Sequence, residues 1–208
     1  MKIACLGWGS LVWDPRELPV SSKWAHDGPN LPVEFTRKSK DGRITLAITP
    51  DACTVRVFSA VMDVISMGEA CSALAEREGI SAKYISKSVG HWAASSQSPH
   101  PQAGSIGDWA KQVGYDGVVW TALKPKFDQN DMIPNCEQVL TYLGELSGDA
   151  LEGAEAYVRR TPAAIRTTYR DAIEHTLGWT PIGGCAGTFI MTPRRSPPRG
   201  SRTTRSVR

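Results

Sequence analysis

Two short segments of the sequence combine residue types and spacings that could do chemistry, and the first is a glycine-rich turn. An apolar run over residues 2–6 leads into Gly7-Trp8-Gly9-Ser10-Leu11. Two glycines at the end of a strand allow a sharp turn whose backbone N–H groups point outward, and such a nest can hold a carboxylate or a phosphate. Val12 stands at the third glycine position of a dinucleotide-binding fingerprint, so that function is not indicated. A plain tight turn is the alternative interpretation.

The second segment is the end of a predicted helix at Glu78-Gly79. Apolar residues recur at three- and four-residue spacing between Met67 and Ala75, and Gly79 suits the position after a helix end. A carboxylate at the negative end of a helix dipole is disfavoured by about 0.3–1 kcal/mol, which raises its basicity and suits it to proton transfer. Glu78 is therefore a candidate general acid and base, with a merely solvated helix-end glutamate as the alternative.

The cysteines do not indicate a metal site or a catalytic thiol. Their positions form neither a Cys-x-x-Cys pair nor a Cys/His spacing suited to zinc, and no histidine is nominated as a partner. An odd count without a signal peptide indicates reduced thiols in the cytosol. We expect small buried hydrophobes at all five positions, namely Cys5, Cys53, Cys71, Cys136 and Cys185.

The elements that must position the two segments are strands first and helices later. Alternating apolar residues predict strands at 2–6, 31–37, 43–49, 54–62 and 117–122, with Asp41-Gly42 as the turn of a hairpin. Helices are predicted at 67–79, 109–113, 136–147, 149–159 and 162–177, the last with Thr161 as N-cap, Pro162 at its first position and Gly178 after its end. Loops are predicted at 86–104, where Ser, Pro, His and Gly would suit a lid, and at 123–135, and residues 184–191 form an apolar β-like run. This order favours an α+β fold with an antiparallel sheet over alternating βαβ units.

Composition is typical of a globular chain of 208 residues, with 41% apolar and 22% charged residues. No apolar run approaches the roughly 18–20 residues of a membrane span. The N-terminal residues lack the apolar stretch and cleavage site of a signal peptide, so we expect a cytoplasmic protein with no membrane partner.

The net charge of +3 is misleading, because six arginines and no acidic residue lie between Pro193 and Arg208. Without them, 18 basic residues face 21 acidic ones. The folded part therefore gives no electrostatic case for nucleic-acid binding. The tail is expected to be disordered, with at most weak contact to nucleic acid.

Together, the two segments resemble a known family. Gly7-Trp8-Gly9-Ser10-Leu11 resembles the Tyr-Gly-Ser turn that opens γ-glutamylcyclotransferase-like proteins, most closely their ChaC-like branch, with Trp8 in place of the tyrosine. Glu78-Gly79 followed by Tyr84 is similar to the helix end that carries the catalytic carboxylate in that family. The resemblance covers roughly residues 1–125.

We expect residues 126–191 to form a helical extension, whose helical part at 136–178 the short members of the family do not account for, and residues 192–208 to form the tail. The resemblance implies a small antiparallel or mixed β-barrel with flanking helices over residues 1–125. It also implies an intramolecular cyclisation of a γ-glutamyl amide, peptide or amine that releases 5-oxoproline, without a metal or cofactor. Glu78 would be the general base and then the acid. The backbone amides of Gly9, Ser10 and Leu11 would hold the α-carboxylate of the substrate, while Trp8 and Tyr84 would line the site.

Two other interpretations stay open. The same carboxylate could catalyse cleavage or transfer at another γ-glutamyl linkage. Alternatively, the chain could be a non-catalytic binding module that holds a small anionic ligand at the glycine turn. The binding module predicts an exposed and dispensable Glu78, whereas a buried Glu78 facing Ser10 would argue against it. The sequence indicates neither the leaving amine nor the oligomeric state. It favours surface charge for Arg37 and Arg43, with contact to a substrate carboxylate as the alternative.

Overall fold

The computed structural model describes residues 1–127 and 132–182, which form a mixed α+β fold. The strands are β1 (Ile3–Gly7), β2 (Asn30–Leu31), β3 (Val33–Lys38), β4 (Ile44–Ile48), β5 (Val55–Arg56), β6 (Phe58–Val61), β7 (Val89–Ala93), β8 (Ser96–Gln97) and β9 (Gly117–Thr121). The α-helices are α1 (Met67–Arg77), α2 (Ile85–Ser88), α3 (Ala103–Val113), α4 (Cys136–Gly144), α5 (Gly148–Arg160) and α6 (Thr168–Leu177), and a 3₁₀ turn spans Ala82–Tyr84. None of the helices in these two ranges is long and apolar enough to cross a membrane.

The main sheet has five strands in the order β6-β1-β9-β7-β8. β1 pairs antiparallel with β6 and parallel with β9, so the carboxyl ends of β1 and β9 meet at one edge. The pairs β3-β4 and β2-β5 form two smaller antiparallel sheets. The α+β class is confirmed. Within residues 1–127 and 132–182 the strands pair as three separate sheets, and the closed barrel that the resemblance implies is not seen.

Hydrophobic side chains cover both faces of the main sheet, because successive residues of a strand point to opposite faces. On one face, Cys5 and Val119 pack with Leu74 of α1. On the other face, Leu6 and Trp120 belong to a cluster that also contains residues of the later helices, among them Val139, Leu143, Ala154, Tyr157, Val158 and Ile173. The predicted helical extension therefore shares a core with the strands. Residues 184–191 and the tail at 192–208 lie outside the described residues.

The predicted loop at 86–104 is wrong, and with it the expected lid. This segment contains the end of α2, β7, β8 and the start of α3, and β7 is hydrogen-bonded to β8 on one side and to β9 on the other. A Cβ on Gly90 would come closer than 3.0 Å to the indole of Trp120, so a glycine is needed where the strand pattern calls for a larger residue. The helix expected at 109–113 begins at Ala103.

The last predicted helix starts later than expected, at Thr168 with Thr167 as its N-cap, and Thr161 and Pro162 precede it. The Glu34 carboxylate accepts hydrogen bonds from the Thr167 hydroxyl and from the N–H of Tyr169 at 3.1 Å. A contact between distant residues therefore decides where α6 begins. Its predicted end is confirmed, since Gly178 follows with φ +73°.

The predictions for the hairpin turn and for the end of α1 agree with the structure. The β3-β4 hairpin is confirmed, with Gly42 at φ +82°, and α1 ends before Gly79 at φ +66°. The 54–62 run is divided into β5 and β6. Of the cysteines predicted to be buried, Cys5 is buried and Cys71 and Cys136 are half-buried, whereas the prediction is wrong for Cys53, which is exposed. Cys185 lies outside the described residues.

Candidate active site

The glycine turn follows β1 at the sheet edge where β1 and β9 both end. The N–H of Val12 donates to the Gly9 carbonyl at 3.0 Å, and the N–H of Asp14 donates to the Ser10 carbonyl at 2.8 Å, so the chain coils tightly. Within the described ranges, the backbone N–H groups of Gly9, Ser10 and Leu11 have no hydrogen-bond acceptor. Neighbouring N–H groups without acceptors are what an anion-binding nest provides.

The turn needs glycine at position 9 because a side chain from the helical extension lies against it. A Cβ on Gly9 would approach the Tyr157 hydroxyl to less than 3.0 Å and the ring carbon Cζ to 3.4 Å. Tyr157 belongs to α5, and only 7% of it is exposed. The helices beyond residue 126 therefore form part of the wall around the turn.

Glu78 caps the C-terminus of α1 next to the turn. Its N–H donates to the Leu74 carbonyl at 3.1 Å, and its side chain is 17% exposed. Burial raises the pKa of the Glu78 carboxyl, while the neighbouring guanidinium of Arg77 and the charges of Arg16 and Arg37 act in the opposite direction. The result is a carboxyl group that binds a proton more readily than an exposed glutamate.

Arg77 connects the end of α1 to the glycine turn. Its Nη1 donates to Glu78 Oε1 at 2.8 Å, and its Nη2 donates to Ser10 Oγ at 3.2 Å and to the Asp14 carbonyl at 2.6 Å. The Arg77 side chain is 5% exposed. Its Nε is buried without a hydrogen-bond acceptor in the part of the chain that the structure describes. The carboxylate and the turn are thus joined through one guanidinium.

Tyr157 is a site residue that the sequence did not nominate. Its hydroxyl oxygen accepts the N–H of Leu46 at 3.3 Å, and its ring packs edge-on against Trp13 at a centroid distance of 5.4 Å. Burial is the main reason why the pKa of Tyr157 rises to about 12, and the charge of Glu78 adds to it. The hydroxyl is therefore neutral and can donate a hydrogen bond. No local pattern could have found it, since α5 lies beyond the motifs that carry the resemblance.

The structure brings most of the predicted site residues together. Trp8 is buried, and its Nε1 donates to the Leu46 carbonyl at 3.4 Å, so Trp8 and Tyr157 meet the same residue of β4. Leu11 is buried in the cluster beneath α1. Tyr84 is different, because it lies in the 3₁₀ turn with 48% of its surface exposed and its ring next to the Lys83 ammonium. Its role in the site stays a prediction.

The two arginines assigned to surface charge have closer connections to the site than expected. Arg37 donates to the Lys124 carbonyl at 2.6 Å, and its charge lowers the pKa of Glu78. Arg43 pairs with Asp41 at 2.7 Å. The Arg43 guanidinium also lies 5.8 Å from the centroid of the Tyr157 ring. Arg37 is therefore close enough to influence Glu78, and Arg43 lies near Tyr157.

A cavity of about 510 Å³ lies where β4 and β9 end, and its walls are mostly apolar. Ile48 lines it and is two residues from Leu46, so both side chains point to the same face of β4. Its walls also include Trp120, whose indole N–H is buried without an acceptor among residues 1–127 and 132–182. Among the described residues, those that line this cavity include neither the glycine turn nor Glu78 nor Tyr157, so the cavity is separate from the candidate site.

No protein-family model matches the sequence, and neither the curated proteins nor the solved structures gave a match. Within the described residues, no group of three or more His, Cys, Asp or Glu side chains is placed to hold a metal ion. The two motifs and the contacts that join them are therefore the features of this chain that indicate a function.

Proposed function

We propose that this chain is a γ-glutamylcyclotransferase-like enzyme that cyclises a γ-glutamyl amide, peptide or amine and releases 5-oxoproline. The observation that supports this most is the largely buried carboxylate of Glu78, which Arg77 links to Ser10. Ser10 belongs to a turn in which the N–H groups of residues 9–11 have no acceptor among the described residues. A base next to an anion-binding turn suits a substrate with an amine and a carboxylate on the same carbon. The closed barrel of the resembled family and the cytoplasmic location also stay predictions.

In the proposed reaction, the N–H groups of Gly9, Ser10 and Leu11 hold the α-carboxylate of the substrate. Glu78 takes a proton from the neutral α-amine while the amine nitrogen bonds to the γ-carbonyl carbon. The bond from that carbon to the leaving nitrogen then breaks, and Glu78 returns the same proton to the leaving nitrogen. One ring amide and one free amine are formed, so the protons balance. A carboxyl whose pKa is raised by burial suits both halves of this transfer.

The remaining side chains supply orientation. Because the nucleophile and the carbonyl belong to one molecule, the enzyme needs to hold the substrate in its ring-closing conformation, which accounts for much of the barrier in such reactions. Trp8 provides an apolar wall. The neutral hydroxyl of Tyr157 already accepts the N–H of Leu46, so its own hydrogen can be donated to a substrate oxygen.

The binding-module alternative predicts an exposed Glu78 that can be replaced without effect. The observed exposure of 17% and the buried guanidinium beside it favour an active carboxylate. Cleavage or transfer at another γ-glutamyl linkage uses the same groups and is distinguished by its product, which is free glutamate or a new γ-glutamyl amide.

The experiment measures 5-oxoproline from a panel of γ-glutamyl compounds, which includes glutathione, γ-glutamyl amino acids and γ-glutamyl arylamines. Wild type is compared with Glu78→Gln, which keeps the volume and removes the titrating group. Glu76→Gln is the matched control, because Glu76 is an exposed glutamate on the same helix. We expect product from wild type and the control, and at least a 100-fold loss in Glu78→Gln. Equal rates for wild type and Glu78→Gln, or folded wild type that yields no product from any compound, would contradict the proposal.

A further inference from the structure

We infer that Arg77 is a positioning residue, whose positive charge pairs with the Glu78 carboxylate and whose contacts fix that carboxylate relative to the glycine turn. The inference rests on the proposed function, since it assigns a role within that reaction. It is supported by the burial of the Arg77 guanidinium and by its simultaneous contacts with Glu78, Ser10 and the Asp14 carbonyl.

The contact between Arg77 and Glu78 is unusual for adjacent residues. Neighbours in sequence do not face each other on a helix surface. Here Glu78 is the C-terminal cap of α1, and the guanidinium of Arg77 is held on its other side by Ser10 and Asp14. The hydrogen bonds to Ser10 Oγ and to the Asp14 carbonyl therefore fix the position of the Arg77 guanidinium. The guanidinium in turn fixes the position of the Glu78 carboxylate oxygen.

A guanidinium can make these contacts and an ammonium cannot make all of them. Arg77 uses Nη1 for the carboxylate and Nη2 for the turn, with the two groups held apart by a rigid plane. A lysine supplies a single point charge on a flexible stem. Lysine at this position should therefore keep the electrostatic effect and lose most of the orientation.

The positive charge of Arg77 acts to lower the pKa of Glu78. Burial disfavours the ionised form of Glu78, and the adjacent cation favours it. Without the cation, the pKa of Glu78 rises further, so the base form is lost at a higher pH. Arg16 and Arg37 also lower this pKa, but Arg16 is largely exposed and paired with Asp14, so its influence is screened by solvent.

The test compares wild type with Arg77→Met, Arg77→Lys and, as a matched control, Arg16→Met. For Arg77→Met we expect the acidic limb of the kcat/KM profile to move up by roughly 1–3 pH units, as the loss of an opposite charge within about 4–6 Å implies. For Arg77→Lys the limb should return toward the wild-type position while kcat stays at least 10-fold reduced. Arg16→Met should shift the limb by less than half the effect of Arg77→Met. A lowered kcat with an unmoved limb in Arg77→Met would indicate a purely structural role and overturn the inference.

A second measurement does not need turnover. The carboxyl carbons of glutamate, labelled with ¹³C, are titrated by NMR in each variant, and the Glu78 signal is assigned by its absence from Glu78→Gln. We expect the midpoint for Glu78 to rise in Arg77→Met, and an unchanged midpoint would overturn the inference.

If wild type releases no 5-oxoproline, the proposed function fails and the positioning role fails with it. If wild type is active and the midpoint does not move, only the inference on Arg77 fails. Melting curves of each variant show which of them are folded.

Discussion

Replacing Gly9 with alanine tests whether the helical extension is part of the site. The added Cβ would lie closer than 3.0 Å to the Tyr157 hydroxyl, whereas ordinary contacts span 3.4–4 Å. Tyr157 cannot easily turn away, because its ring packs edge-on against Trp13 and Phe35 and its hydroxyl oxygen is bonded to Leu46. Either the turn or α5 must therefore shift, by roughly the 1 Å that separates a clash from van der Waals contact.

The expected magnitudes follow from this clash. Overpacking of a well-filled site lowers the free energy of unfolding by about 1–3 kcal/mol. For a chain of this size that is roughly 2–4 °C of melting temperature per kcal/mol. A displacement near 1 Å at the glycine turn should also lower kcat/KM by about 100-fold, since the turn orients the substrate.

The partner substitution Tyr157→Phe makes the prediction specific. It removes the hydroxyl oxygen and leaves the ring carbon Cζ, which the new Cβ would meet at 3.4 Å. Urea unfolding of the four proteins in this double-mutant cycle should give a coupling energy above about 1 kcal/mol, with Gly9→Ala tolerated better beside phenylalanine. Gly104→Ala is the control, because a Cβ at that position in α3 meets nothing within 4 Å. Equal destabilisation by Gly9→Ala in both backgrounds would refute the reasoning.

Two further predictions concern the fold around the site. Burial raises the pKa of Glu34 above its ordinary 4.5, so the native state binds a proton more readily than the unfolded chain. The contribution of Glu34 to the unfolding free energy is therefore largest below pH 4.5 and falls as the pH rises through the raised value. Urea titrations from pH 4 to 8 should show a smaller decrease over this window in Glu34→Gln, and an unchanged slope would contradict the assignment. Gly90→Ala should lower the unfolding free energy by about 1–3 kcal/mol, because its Cβ would overlap the buried Trp120 indole. Urea melts that show no loss relative to Gly104→Ala would argue against that packing.

The sequence predicts the elements whose signals are local. The hairpin turn at Gly42 and the end of α1 at Gly79 both need a positive φ, which glycine adopts readily, so single residues mark them. By contrast, the composition of residues 86–104 predicts a loop where β7 forms. The strand contains Gly90 because the Trp120 indole occupies the space of a side chain, and a pattern read along one strand does not show what its neighbour requires.

For the site as well, residues that a local pattern marks could be predicted, and residues that meet only in the folded chain could not. The contacts of the site come from distant parts of the chain, since Arg77 reaches Ser10 of the glycine turn from 67 residues away and Tyr157 reaches Leu46 of β4 from 111 residues away. Residue types and helix-end position nominate Glu78, but they cannot show which side chains surround it.

The helix-end position predicts correctly that the pKa of Glu78 is raised, but it gives only part of the cause. The position at a helix C-terminus alone suggests an effect of at most about 1 kcal/mol, which solvent would screen at an exposed site. In the folded protein the largest influence on its pKa is burial, and the adjacent guanidinium of Arg77 opposes it. Burial raises the pKa of the Glu78 carboxyl and the cation opposes that rise, and a carboxyl with a raised pKa suits a general base that later acts as an acid. The two effects oppose each other, because burial favours the protonated form of the carboxyl and the guanidinium favours the ionised form. The pairing of Arg77 with Glu78 is therefore the feature of this fold on which the proposed reaction depends most.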